Sequence, residues 1–165
     1  MKSFLLAVQF LTRIPVKINS DISEDGHSKA MAYFPLVGLI IGLLLVLVFK
    51  FCSWFFPSSA VSVLVLTAYV LITGGLHIDG LADTCDGICG GKDNKKNTLR
   101  IMKDSPIGAM GALAVCLDLL LRDAFLNSIP EAKVPLSLIS MAVIGKWSQV
   151  AFVFNSSSAT DTSTA

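Results

Sequence analysis

The sequence predicts an all-α protein, a multi-pass transmembrane helix bundle of about four spans preceded by an N-terminal amphipathic helix. Three observations carry that reading. Hydrophobic residues make up 53% of the 165-residue chain and charged residues 15%, with a mean hydropathy of +0.70, far to the apolar side of soluble domains. Residues 30–49 contain no charge, and at about 1.5 Å per residue a helix of that length crosses the roughly 30 Å hydrocarbon core. Further apolar stretches recur as far as Phe154, separated by the proline, serine and charged clusters that punctuate helices.

Taken in order, Phe4, Val8 and Leu11 fall on one helical face, which predicts an amphipathic segment on or entering the membrane. The run is broken by Gln9 and has no small-x-small cleavage site before Arg13, so a removable signal peptide is not expected. Residues 30–49 form the first span. From Phe51 to Ile78 there is no formal charge when His77 is neutral, and Pro57, Ser58 and Ser59 mark a turn. A second span is expected from Ala60 to Gly74 or beyond.

Asp79 to Asp104 is the polar middle of the chain, expected as a cytoplasmic active-site loop over about 77–105. It concentrates Lys92, Lys95, Lys96, Arg100 and Lys103, and the positive-inside rule puts such a loop in the cytoplasm. Lys2, Arg13, Lys17 and Lys29 place the N-terminal stretch on the same side, as two intervening spans require. Later spans are expected over Ile107–Leu126, with Asp118, Arg122 and Asp123, and over Val134–Phe154, with Lys146. Asp118 and Arg122 are four apart and can pair along one helix face. Lys146 either snorkels to water or binds an anion. The chain therefore reads as one integral-membrane domain, 1–155, followed by a disordered polar tail, 156–165.

Composition also narrows the function. A net charge of +1 gives no global attraction for nucleic acid, so a polyanionic ligand must meet a local patch. Cys52, Cys85, Cys89 and Cys116 contain no CxxC pair, which argues against zinc or a disulfide framework. Cys52 and Cys116 lie in apolar segments and read as packing residues.

The chemistry concentrates in residues 74–91, GGLHIDGLADTCDGICGG. Spacings of four and three put Asp79, Asp83 and Asp86 on one side of a helix. Unpaired, three carboxylates beside a membrane repel one another, and a hard divalent cation, Mg²⁺ above all, relieves that repulsion. Glycines, Gly80 among them, allow bulky phosphates to approach. Lys92, Arg100 and their basic neighbours can bind the outer oxygens of a diphosphate or serve topology alone. Acids for a metal and cations for phosphate together suit phosphoryl transfer. His77 is an interfacial hydrogen-bonding residue or a base, and Asp104 is a helix N-cap or, with Ser105, a substrate contact. The acidic spacing does not match an EF-hand, and no Walker or dinucleotide glycine loop is present.

The segments FLTRIPV (10–16), YFPLVGLIIG (33–42), GGLHIDGLADTCDG (74–87) and IMKDSPIGAMGALAV (101–115) closely resemble the cobalamin synthase family, the adenosylcobinamide-GDP ribazoletransferases. The resemblance runs in order to about Leu121. It implies a multi-pass enzyme of the prokaryotic cell membrane that uses Mg²⁺ to join adenosylcobinamide-GDP to alpha-ribazole or its 5'-phosphate, releasing GMP. The family's acidic motif falls on Asp79, Asp83 and Asp86, with His77 and Gly80 inside it, and a second signature falls on Lys103, Asp104 and Ser105. The family's logic matches the reading of these acids as holders of Mg²⁺, and of the three carboxylates Asp83, the middle one, is the expected acceptor of the hydroxyl proton. Family members continue into further membrane helices, so the chain is expected to be a shortened product or a fragment. The partners expected are the two substrates and the lipid bilayer, with a second copy or other membrane enzymes of the pathway left open.

Two rival functions use similar residues. A CDP-alcohol phosphotransferase of lipid synthesis also sets aspartates at a membrane helix end, but it follows Asp-Gly with an arginine that is absent here, where Asp83 comes after Asp79, Gly80, Leu81 and Ala82. A divalent-cation transporter would line a midplane pathway with acids on discontinuous helices, whereas these acids adjoin a basic loop.

Overall fold

The structure, a computed structural model, describes residues 2–16, 24–92, 94–104 and 106–156. Lys17, Ser105 and the tail from residue 157 onward therefore lie outside the described residues. The chain is all-helical among them: α1 (Lys2–Leu11), α2 (Glu24–Met31), α3 (Phe34–Cys52), α4 (Ser58–Thr73), α5 (Leu76–Gly91), α6 (Lys95–Met102), α7 (Ala109–Ser128) and α8 (Val134–Asn155), with a short 3₁₀ turn at Glu131–Lys133 before α8. It divides into two compact units, residues 1–47 with 133–165 and residues 48–132.

In the first unit, α1 buries Ala7, Val8 and Leu11, the apolar face anticipated from spacing. Phe4 meets the Tyr33 ring edge-on at 5.9 Å, and Phe10 stacks on Phe34 at the same distance. These contacts seat α1 on the start of α3. Along α3, Val37, Ile41 and Leu45 are fully buried at four-residue intervals, and α8 buries Val134, Leu138, Ala142 and Lys146 in the same rhythm. Gly38 and Gly42 let the two backbones close up. A β-carbon at Gly38 would stand 2.6 Å from the Ala142 carbonyl oxygen, and one at Gly42 would stand 2.7 Å from the Ile139 Cα. Small residues one turn apart, with the register running antiparallel, are the usual way for membrane helices to pack closely.

Lys146 is buried, only 3% exposed, with its aliphatic stem against Gly38. It does not snorkel. Large apolar side chains instead face outward along the long helices, among them Leu47, Leu120, Phe125, Leu136 and Phe152, as expected where lipid rather than water is the solvent.

The second unit starts at the end of α3. After a turn through Trp54, Pro57 precedes α4, as the Pro-Ser-Ser sequence predicts. Gly74 and Gly75 then adopt left-handed φ values of 68° and 74°, and the chain bends by 89° into α5. Two successive residues in that region need glycine, because a β-carbon there crowds the backbone. The acids therefore lie on a helix of their own after a right-angle corner, not on the end of the preceding span. The expected 77–105 loop is itself helical, made of α5 and α6.

Span by span, Phe34–Cys52 and Glu131–Asn155 are long and apolar enough to cross a membrane. The bent pair α4 and α5 makes a third only as a broken span or re-entrant loop. The fourth expected span, α7, is long and apolar but is set apart from these by three charged residues, Asp118, Arg122 and Asp123. The anticipated pair forms there, with Arg122 Nε donating to Asp118 Oδ2 at 2.7 Å, and the Arg122 guanidinium lies 5.8 Å from the centre of the Tyr69 ring. One turn further, Asp123 accepts from the Ser62 hydroxyl, and the Asn127 amide donates to Ser62 at 2.9 Å and to Asp123 Oδ1 at 3.2 Å. These polar contacts join α4 to α7 within an otherwise apolar pairing.

The glycine packing of α3 on α8 yields a contrast within one unit. G42A should lower stability by about 1–3 kcal/mol through overpacking, whereas G145A, whose β-carbon meets nothing within 4 Å, should be neutral or stabilising. Reversible unfolding in mixed detergent micelles measures both.

Candidate active site

The acid-bearing helix α5 is packed between α6 and α7. Its composition explains how. Gly87 and Gly91, one turn apart, admit α6: a β-carbon at Gly87 would fall 2.5 Å from Met102 Cγ, and one at Gly91 would collide with the Thr98 side chain. On its other flank α5 offers Ala82 and Asp86 to α7, where the Ala82 carbonyl would lie 2.8 Å from a β-carbon at Gly111. With 3.6 residues per turn, Asp79, Asp83 and Gly90 fall on the arc between these flanks. Asp83 and Asp79 thus lie on the arc between the two flanks, one and two turns before the level at which Met102, the last residue of α6, meets Gly87.

The three carboxylates are not equivalent there. Asp86 is half-buried and engaged through both oxygens: Oδ2 accepts the Gly108 N–H at 2.7 Å and Oδ1 accepts the Gly111 N–H at 2.8 Å. Gly108 is the N-cap of α7 and Gly111 lies in its first turn. Asp86 thus supplies from α5 the capping oxygens that α7 lacks locally, with its negative charge at the positive end of the helix. Asp104, read as a candidate N-cap of this helix, does not serve as one. It lies exposed in the preceding loop, its N–H bonded to the Ile101 carbonyl at 3.0 Å. Asp79 is exposed and Asp83 half-buried, and among the described residues neither carboxylate takes a hydrogen bond or ion pair. His77 is half-buried in the first turn of α5, and Gly80 is open, with nothing within 4 Å of a β-carbon.

Beyond the acids, α5 ends on Lys92, an exposed residue at a left-handed φ of 50°. Asn94 caps α6 by accepting the Asn97 N–H at 3.2 Å, and Asn97 reaches back to the Gly90 carbonyl at 3.4 Å. Asn97 also holds Arg100, whose Nη2 donates to Asn97 Oδ1 at 2.9 Å. Lys95 and Lys96 stand exposed in the first turn of α6, and Lys103 is exposed at its end. Ser105 lies outside the described residues.

Among the described residues, no group of three His, Cys, Asp or Glu side chains is gathered closely enough to enclose a metal ion. The donor chemistry nonetheless fits Mg²⁺, which is commonly held by one or two carboxylates, with substrate phosphates and water completing the shell. Asp79 and Asp83 are two such carboxylates on adjacent turns, with oxygens that no described residue engages. Sequence reasoning found the acids but missed the partners that shape them. Gly108 and Gly111, just before the apolar run of α7, and the Asn94-x-x-Asn97 pattern were the available signals.

The family described as cobalamin-5-phosphate synthase matches residues 3–165. Relatives named adenosylcobinamide-GDP ribazoletransferase are 46% identical in Clostridium novyi over 146 residues, 88% of this chain and 58% of that one, and 42% identical in Acetivibrio thermocellus over the same lengths. Another, from Shewanella amazonensis, is 47% identical over 129 residues, 78% of this chain and 49% of its own. The chain thus spans about half to three fifths of the length of the curated relatives it matches. No solved structure matches.

The glycine flank of α5 predicts unequal outcomes for the same substitution. G87A should displace Met102 and loosen α6, speeding amide exchange over residues 95–102 by about tenfold, while G80A should leave exchange unchanged. Hydrogen–deuterium exchange with mass spectrometry reads both.

Proposed function

Because the chain belongs to the cobalamin-5-phosphate synthase family, we propose that it takes part in transferring adenosylcobinamide phosphate from adenosylcobinamide-GDP to alpha-ribazole or its 5'-phosphate. The observation that carries this reading is the pair of unengaged carboxylates, Asp79 and Asp83, on the α5 face between α6 and α7, with Lys92, Arg100 and Lys103 close by in sequence. A soluble diphosphate substrate needs that combination at a membrane boundary.

In this reading the ribazole hydroxyl attacks the phosphorus attached to cobinamide, a new P–O bond forms, and the bond to GMP breaks with GMP keeping the electron pair. Asp83, the more buried of the two open acids, accepts the hydroxyl proton directly or through water. Lys103 and Asp104, on the α6–α7 connection, contact the substrate, as does Ser105. Lys92 and Arg100 bind the outer phosphate oxygens, and the open surface at Gly80 admits them. A magnesium ion held by Asp79 and Asp83 would neutralise charge on the diphosphate and the departing GMP. The membrane is the cell membrane, with this face in the cytoplasm, a reading supported by the concentration of Lys92, Lys95, Lys96, Arg100 and Lys103 in one short segment.

Purified protein supplied with both substrates and Mg²⁺ should release GMP, lose that activity in EDTA and regain it on adding the metal. D79N and D83N should each lower kcat by about a hundredfold or more. Full GMP release in EDTA, or full activity in both variants, would contradict the assignment.

A further inference from the structure

Adjacent residues of α5 hold both ends of the α6–α7 connection. Met102, the last residue of α6, packs against Gly87 so closely that a β-carbon there would displace it, and Gly108, the N-cap of α7, donates its N–H to Asp86 at 2.7 Å. The five residues between these points, 103–107, include Lys103 and Asp104. Asp86 also lies one turn from Asp83. We propose that Asp86 is a positioning residue: by clamping the amides of Gly108 and Gly111 it holds the segment bearing Lys103 and Asp104 beside Asp79 and Asp83, which carry the ion alone. The proposal rests on the phosphoryl-transfer reading above and divides labour within it.

Four features support the division. Both Asp86 oxygens are directed at N–H groups, at 2.7 and 2.8 Å, the short lengths of charge-assisted bonds. Those N–H groups belong to the N-cap and the first turn of α7, where a carboxylate is favoured by the helix dipole. Gly108 and Gly111 are required by the approach itself, since a β-carbon at either would overlap the Asp86 carboxylate. Asp79 and Asp83 have no comparable partners among the described residues.

The chemistry of Asn makes the clamp testable. D86N keeps a side chain of the same shape but turns one acceptor into a donor, which must then face an amide N–H. G111A disturbs the same clamp from the other side and leaves every carboxylate intact. With the full chain in detergent, both variants should speed amide exchange over residues 108–112 by at least about tenfold. Both should also weaken equilibrium binding of adenosylcobinamide-GDP by about tenfold, while Mn²⁺ affinity, read from the EPR signal of the free ion, stays within about twofold. D79N and D83N should do the reverse, weakening Mn²⁺ by about tenfold or more without changing exchange at 108–112. The K103A loss in substrate affinity should shrink in the D86N background, because the two side chains act through one segment.

The proposal is overturned if D86N weakens Mn²⁺ as D79N does, if exchange over 108–112 is unchanged in both clamp variants, or if exchange rises with no loss of substrate affinity. Should D79N and D83N leave Mn²⁺ binding intact, the metal assignment above fails instead, and the clamp is still judged by exchange and substrate binding. Should D86N not fold, G111A carries the test alone.

Discussion

A part-buried helix end needs partners for its first N–H groups, and in this molecule two of them at the start of α7, those of Gly108 and Gly111, are satisfied by a carboxylate from another helix. Asp86 reaches across from α5 to Gly108 and Gly111. Nothing in the local sequence of α7 could do this: its N-cap is a glycine without a side-chain acceptor, and its first turn carries no acid. Removing that carboxylate would leave two orphan donors in a part-buried setting, with the cost of unmade hydrogen bonds and of a helix dipole without its counter-charge. The placement of α7 against α5, and with it the corner between α6 and α7, depends on this contact.

Glycine sets how closely everything else approaches. The left-handed pair Gly74 and Gly75 turns the chain through 89°, carrying the acids off the axis of the apolar helix α4. Gly87 and Gly91 bring α6 against one flank of α5, Gly111 brings α7 against the other, and Gly38 and Gly42 do the same for α3 and α8 within their own unit. In a membrane, where lipid competes equally well for apolar side chains, such close backbone contact is the main attraction between helices. The exposed acidic strip on α5 is what these glycine-lined flanks leave uncovered.

Much of this could be read from the residues. The charge-free run 30–49, the face of Phe4, Val8 and Leu11, and the Asp118–Arg122 spacing all follow from periodicity, and each has its counterpart in α3, α1 and the 2.7 Å ion pair. The grouping of Asp79, Asp83 and Asp86 on one helix was equally legible. Their different fates were not. Whether a carboxylate stays open or caps a helix twenty-two residues later depends on tertiary approach, for which spacing carries no signal. The same holds for Asp104, whose position before Pro106 suggests a cap that Asp86 supplies instead. It holds too for Lys146, where the sequence cannot tell a buried stem from a snorkelling one. The span count rested on length and hydropathy, and α7 lowers its apolarity with Asp118, Arg122 and Asp123, which are stabilised by partners on α4 and on α7 itself that no linear scan reveals.

The central claim is that the acidic face of α5 brings a divalent ion and the phosphates of a nucleotide-linked corrinoid together at Asp79 and Asp83. Electron–nuclear double resonance on protein-bound Mn²⁺ tests this directly, because the ion's unpaired spin couples to any phosphorus whose oxygen it ligates. The account predicts a ³¹P coupling that appears on adding adenosylcobinamide-GDP and is lost when Asp79 and Asp83 are both replaced by Asn. Bound Mn²⁺ with no ³¹P coupling in the presence of that substrate, or a coupling that survives the double replacement, would contradict it.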